Sequence, residues 1–237
     1  MNLAQRILMA RRMGDTPDYD PYWDDVVLLL KGDGPDGSTN ITDSSVYGHP
    51  VTVYGDTRIS TAASAYPGGS SMYFDGSGDY LGITSDQFIM GTNDFTVEGF
   101  VKFEASGTEG IFCLAPSYLP GSVVNSVQLG RTINGLARLI LDSGGFNASS
   151  IPFIGNTFHH FSAVRSSGTI KVFVDGVQVL SLSSPVNYYG EALTVGGFWT
   201  NKETIKGYIQ YFRVTKGVAR YATDFTPPTA PFPTTGP

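Results

Sequence analysis

Apolar and polar residues alternate along most of this chain with a period of two, the spacing that gives an extended strand one apolar face. Phe95, Val97, Val101 and Phe103 face one way in a run of this kind. Residues 71–75 and 79–83 read as two strands around a Gly76-Ser77-Gly78 turn. Residues 26–30 form a continuous apolar run, which suits a strand covered on both faces. Further strands are predicted at 110–114, 127–129, 136–141, 158–165, 169–174, 193–195 and 208–214. Asp175-Gly176 stands between two β-rich runs, 172–174 and 177–179. An Asp-Gly pair there signals a tight hairpin, because a type I′ turn needs positive φ at both central residues. Roughly a dozen short strands with almost no helical rhythm predict an all-β fold, a sandwich of two antiparallel sheets.

The two ends break the pattern. Residues 2–12 alternate with helical rhythm, Leu3, Ile7 and Leu8 on one side and Arg6 opposite. A helix this short is marginal alone in water, so the segment reads either as a frayed terminus or as a docking arm. As an arm, it would use Leu3, Ile7, Leu8, Arg11 and Arg12 to grip a partner. Asp15, Asp18, Asp20, Asp24 and Asp25, interrupted by Pro17 and Pro21, read as an acidic extended linker. At the other end Pro227, Pro228, Pro231, Pro233 and Pro237 forbid a ladder strand and predict an extended tail that could lie along the sandwich through Phe225 and Phe232. The expected plan is an arm and linker at 1–25, a sandwich at 26–224 and a tail at 225–237.

Composition narrows the class. The 237 residues are 41% hydrophobic, 13% aromatic and only 15% charged. That is enough apolar material for a large core. A formal charge of -6 argues against nucleic acid as a partner, because phosphate contacts need a basic surface. The single cysteine, Cys113, excludes an internal disulfide and a cysteine-built zinc site. No apolar run is long enough to cross a bilayer. Residues 1–14 lack a clean apolar signal core, since Arg6, Arg11 and Arg12 interrupt it. Synthesis in a cytoplasm, without a signal peptide, is the expectation.

The stretches Phe74-Asp75-Gly76-Ser77-Gly78-Asp79-Tyr80-Leu81, Asp94-Phe95-Thr96-Val97-Glu98, Phe158-His159-His160-Phe161 and Val172-Phe173-Val174-Asp175-Gly176 resemble the laminin-G-like domain of the concanavalin A-like lectin/glucanase superfamily. The closing stretch, from Gly207-Tyr208-Ile209 through Arg213-Val214-Thr215-Lys216-Gly217 to Phe225-Thr226-Pro227-Pro228, is similar to the version carried by tailed-bacteriophage structural proteins. The resemblance covers about residues 26–232. It implies a two-sheet antiparallel jelly roll and a non-enzymatic virion protein on capsid or tail. The arm would dock on other virion proteins, and the symmetry common among such fittings suggests a homo-oligomer such as a trimer. The alternative is a carbohydrate-binding adsorption module of a tail fibre or spike. The chain departs from the family where Phe158 replaces a usual Trp, and where Gln210 and Tyr211 replace an acidic pair. Acidic residues there help to hold calcium in related domains, so their loss weakens a calcium expectation.

Candidate chemistry is sparse. Glycosidases place two carboxylates on opposite sides of a sugar bond, but no closely alternating acidic triplet occurs here, and Glu98 reads as a solvent-facing strand residue. Hydrolysis is therefore not expected. His159 and His160 are adjacent, so on a strand they point to opposite faces and do not share an ion easily. Cys113 lies in an apolar strand and reads as an inert buried thiol. Asp33, Asp36 and Asp43 fit Asx turns. Asp75 and Asp79, flanking one turn, are the better calcium candidates by resemblance, and no other cofactor is implied. For a glycan, Asn187, Tyr188, Tyr189, Trp199 and Asn201 supply aromatic faces and amides. The competing role for Tyr188 and Trp199 is packing.

Overall fold

The computed structural model describes residues 19–116, 125–141, 146–153, 156–198 and 203–237. The arm residues Leu3, Ile7, Leu8, Arg11 and Arg12, and the loop residues Trp199 and Asn201, lie outside them. Fifteen strands occur in the described chain. The first seven are β1 (Val26–Leu30), β2 (Thr52–Tyr54), β3 (Arg58–Ser60), β4 (Ser71–Asp75), β5 (Tyr80–Thr84), β6 (Phe95–Phe103) and β7 (Glu109–Ala115). Then come β8 (Val127–Arg131), β9 (Leu136–Leu141), β10 (Phe146–Pro152), β11 (His159–Ser166) and β12 (Thr169–Val174). β13 (Val177–Ser183), β14 (Ala192–Val195) and β15 (Lys206–Lys216) complete the series. Among the described residues, no helix is long and apolar enough to cross a membrane.

The strands form two sheets. The first runs β13-β12-β11-β6-β15-β4-β3, with β1 also paired to β15; the second runs β10-β9-β8-β7-β14-β5-β2. Every pairing between these strands is antiparallel. The architecture is the expected jelly-roll sandwich. Its core holds Phe95, Val97, Val101 and Phe103 of β6, against Phe112, Leu114, Leu129 and Leu193 of the second sheet. Gly99 interrupts the inward row of β6 because the Phe161 ring and the Phe212 backbone occupy its space: a Cβ there would lie 3.2 Å from both. The hairpin at Asp175-Gly176 forms with φ of 49° and 79°. A second turn of the same kind, Ser167-Gly168 with φ of 49° and 76°, joins β11 to β12.

β15 carries the bulge that organises the rest. Ile209, Phe212 and Val214 all reach the core, a spacing that a regular strand cannot give. Tyr211 and Phe212 together oppose Gly99, and Tyr211 takes φ 51°. The extra residue shifts the phase of the strand, so Gln210 and Arg213 both face outward.

A third layer covers that outer face. Trp23, Val26, Leu29, Phe100 and Phe232 form a second apolar cluster, with Tyr66, Phe158 and Tyr211 packed against it. β1 serves both clusters, which explains its unbroken apolar sequence: Leu28 and Leu30 join the inter-sheet core, Val26 and Leu29 the outer one. Several contacts hold the proline-rich tail, among them Phe225 N donating to Gly176 O at 2.9 Å. Pro228 O accepts from Tyr66 Oη at 3.1 Å, Phe232 lies under the Arg213 guanidinium at 3.9 Å, and Thr235 O accepts from Asp20 N at 2.9 Å.

Candidate functional site

Beneath the third layer lies a buried ionic cluster. Glu98 of β6 is fully buried, which corrects the expectation that it faces solvent. The cause is the tail and linker folded over its face of the sheet. Arg213, its cross-strand neighbour, donates to Glu98 Oε1 from Nε at 3.1 Å and from Nη2 at 2.7 Å. Tyr221 Oη and His160 Nε2 donate to Oε2 at 2.8 and 3.2 Å. Burial by itself would raise the Glu98 carboxyl; Arg213, the His160 hydrogen bond and Arg220 outweigh it and hold the group well below the usual carboxylate range. The same burial, with Glu98 next to it, pushes the Tyr221 hydroxyl well above its ordinary value.

Asp20 closes the cluster from the linker side. Arg220 grips both of its oxygens, Nη1 to Oδ1 at 3.0 Å and Nη2 to Oδ2 at 2.7 Å. Arg213 Nη1 adds a bond to Oδ2 at 2.8 Å. The linker is thus pinned to the sheet at two residues: Asp20 is 2% exposed and Trp23 9%, while Asp24 and Asp25 stay exposed. Sequence reasoning missed this cluster because its members lie up to 200 residues apart. The one local signal was the three-residue step between Ile209 and Phe212.

The described members of the predicted ligand site differ in burial. Tyr188 is fully buried between the sheets. Its ring meets Phe95 edge-on at 5.9 Å, Arg165 lies 5.5 Å from its centroid, and its hydroxyl bonds Ser184. It is therefore a packing residue, which corrects its assignment to a ligand site: the bridge it forms with Gly91 turns the ring inward. Tyr189, 50% exposed, and Asn187 remain on the surface before β14. Phe198, the last described residue ahead of Trp199 and Asn201, follows the opposite end of β14 and is buried. Asn187 and Tyr189 thus precede the strand, and Phe198 follows it.

Asp75 and Asp79 do meet at one turn, joined by Asp56, with one oxygen from each within 4.8 Å of the others. Asp79 is the buried member and it has internal work: Oδ1 accepts from Asp56 N at 2.8 Å and Oδ2 from Asp75 N at 2.7 Å. Burial raises its carboxyl in spite of these bonds. Three carboxylates can supply part of a calcium shell, which wants six to eight oxygens. The histidines diverge as predicted: His159 Nδ1 bonds Asp175 Oδ2 at 2.6 Å, while His160 turns to Glu98. Cys113 is buried on the outward side of the second sheet, beside Ala115, Ile140 and Phe198.

Residues 75–220 match the family described as the concanavalin A-like lectin/glucanases superfamily. The chain belongs to that superfamily. Solved structures share the fold. The binding domain of Paraclostridial Mosquitocidal Protein 1 superposes with a TM-score of 0.61 at 9% identity, over 83% of this chain and 50% of that one. The binding domain of Botulinum Neurotoxin DC in complex with SialylT gives 0.59 at 13%, over 83% and 49%. Domain 4 of AbnA, a GH43 extracellular arabinanase from Geobacillus stearothermophilus, in complex with arabinotriose, gives 0.61 at 16%, over 81% and 93%. The chain spans about half the length of the toxin domains it matches. Comparison with curated proteins returns no significant match. At these identities the superfamily likeness speaks for the fold.

Proposed function

We propose that the protein is a non-catalytic, lectin-like module of a tailed-phage particle, made in the host cytoplasm, carried by its N-terminal arm and displayed on capsid or tail. The observation that supports the non-catalytic part is the state of the acids. Among the described residues the buried carboxylates are Asp20, Asp79, Glu98 and Glu109. Each is committed to arginines or backbone N–H groups; Glu109, for example, accepts from Arg131 Nε at 2.6 Å and from Lys206 N at 2.8 Å. A general acid–base pair needs a proton that can move at the substrate, and acids so held serve structure instead. The virion part rests on the likeness of the closing stretch to tailed-phage proteins, and on the arm root being clamped through Asp20 to the sandwich.

Particle association tests it. Removing residues 1–14 is expected to leave a folded sandwich that no longer sediments with particles, whereas the full chain does. A shortened chain that still co-sediments overturns the anchoring role, and release of sugars from oligosaccharides by the purified protein overturns the non-catalytic one. Sedimentation of the free protein checks the expected trimer.

A second reading, glycan adsorption, is favoured by the superfamily and by two fold neighbours whose complexes contain SialylT and arabinotriose. A glycan array reads it directly. Hits weakened by Tyr189→Ala or Trp199→Ala support it, and a blank array leaves the display role alone.

A further inference from the structure

An open-sided pocket of about 310 Å³ lies between the arm root and the tail. It is at the small end of ligand pockets, about 300–1,000 Å³, with room for one sugar ring. Its floor is formed by Arg213 and Arg220, and its walls include Tyr19, Pro21, Pro231 and Phe232. Flat proline and aromatic faces suit the C–H faces of a pyranose. Thr229 adds a hydroxyl at the tail side.

The floor is built for a carboxylate. A guanidinium carries five N–H donors in a fixed fork. Arg213 uses one each from Nε and Nη2 on Glu98 and one from Nη1 on Asp20. Arg220 uses Nε on Thr215 Oγ1 at 2.7 Å and one N–H from each terminal nitrogen on Asp20. Every terminal nitrogen of the pair therefore keeps a second N–H. Asp20 already displays the recognition chemistry, since Arg220 holds it as a bidentate carboxylate. The charged groups lining the pocket are Asp20, Arg213 and Arg220; Glu98 lies behind the floor on Arg213, so the four charges balance and a ligand carboxylate is met by the remaining N–H donors.

We infer that this pocket binds the carboxylate-bearing ring of an acidic sugar, through Arg213 and Arg220 and against Tyr19 and Pro231. The inference rests on the glycan-binding reading and names its ligand class. It also assigns to the arm root a recognition role that the sequence-predicted residues at Asn187 and Tyr189 do not share.

Titration of the full chain with glucuronate, followed by calorimetry and amide chemical shifts, is the test. Glucuronate is expected to perturb Tyr19, Thr229, Ala230 and Phe232. Glucose lacks the carboxylate and acetate lacks the ring; each is expected to bind about tenfold more weakly or worse, the scale of a lost charge-assisted pair. Ala230→Trp fills the pocket while leaving both arginines in place, and should abolish the response. Glucuronate binding that survives Ala230→Trp, or acetate binding that equals it, overturns the inference. Neutral glycans bound elsewhere, with no response to glucuronate, overturn the acidic-sugar assignment and leave the glycan reading intact. Silence toward all glycans removes both.

Discussion

At the scale of single residues the chain stakes most on Glu98. An acid with no exposed surface is tolerated only when its partners are complete, and here Arg213, His160 and Tyr221 complete them. Glu98→Gln leaves two arginines facing Asp20 alone, so we expect a loss of about 3–5 kcal/mol, the range for breaking a buried pair, read by urea unfolding at pH 7. The sign of the pH dependence follows from the same contacts. The folded-state carboxyl lies below its ordinary value of 4.5, so its stabilisation is complete above that pH and fades as pH falls further. The urea midpoint of the natural protein should drop on acidification below about 4.5, and the drop should be shallower in Glu98→Gln. Equal slopes would mean that other acids dominate. Asp79 has the opposite sign, because burial favours its protonated form and acidification relieves it. Tyr188 teaches a related lesson. Its tyrosine chemistry suited a sugar platform, but one bridge to Gly91 decides that the ring packs inward.

At the scale of elements, what the sequence made legible was whatever depends on neighbours in the chain. Asp175-Gly176 announced its hairpin because only particular residues tolerate positive φ at both positions. The Gly176 conformation is reinforced from outside: a Cβ there would meet Phe225 O at 1.9 Å. Gly176→Ala should therefore destabilise by more than the loop strain alone, by about 2–4 kcal/mol as an overpacked and strained site, with the effect read as a lowered Tm. Strands β2, β3 and β10 were not foreseen; β2 and β3 are three residues each, too short for alternation to register. The β15 bulge left a trace in the spacing of Ile209, Phe212 and Val214, but its consequence, an outward Arg213 opposite Glu98, depends on a pairing with β6 that no local pattern encodes. At the turn between β4 and β5, both oxygens of Asp79 hold backbone N–H groups, and Asp56 is exposed. We expect millimolar calcium to leave Tm unchanged; a rise would show that the three carboxylates take the ion after all.

At the scale of the whole molecule, the sandwich was legible and so was a tail lying along it through Phe232; that the linker joins the tail in one layer was not. Prolines at 227, 228, 231, 233 and 237 say that the tail is no ladder strand, and the acidic linker composition says that residues 15–25 favour water. Neither says that the two segments meet. They meet because the outward face of the first sheet is itself apolar around Phe100 and Tyr211 and charged around Glu98 and Arg213, and burying both needs a cover. Phe232 is the apolar anchor of that cover, 6.0 Å from the Phe100 ring and 5.7 Å from Tyr211. Asp20 is the polar one. If the layer is a single cooperative unit, weakening either anchor should loosen both segments while the sandwich stays closed. Phe232→Ala removes a buried ring, which costs about 3 kcal/mol in a packed setting. Hydrogen exchange should then speed up at Asp20 and Tyr22 as well as across 228–235, because Asp20 N bonds Thr235 O and Tyr22 N bonds Asp20 Oδ1. Protection in β11 and β12 should hold. Faster exchange confined to the tail would instead mean that the arm root stands on its arginines alone, and that the tail can leave the sandwich without releasing the arm.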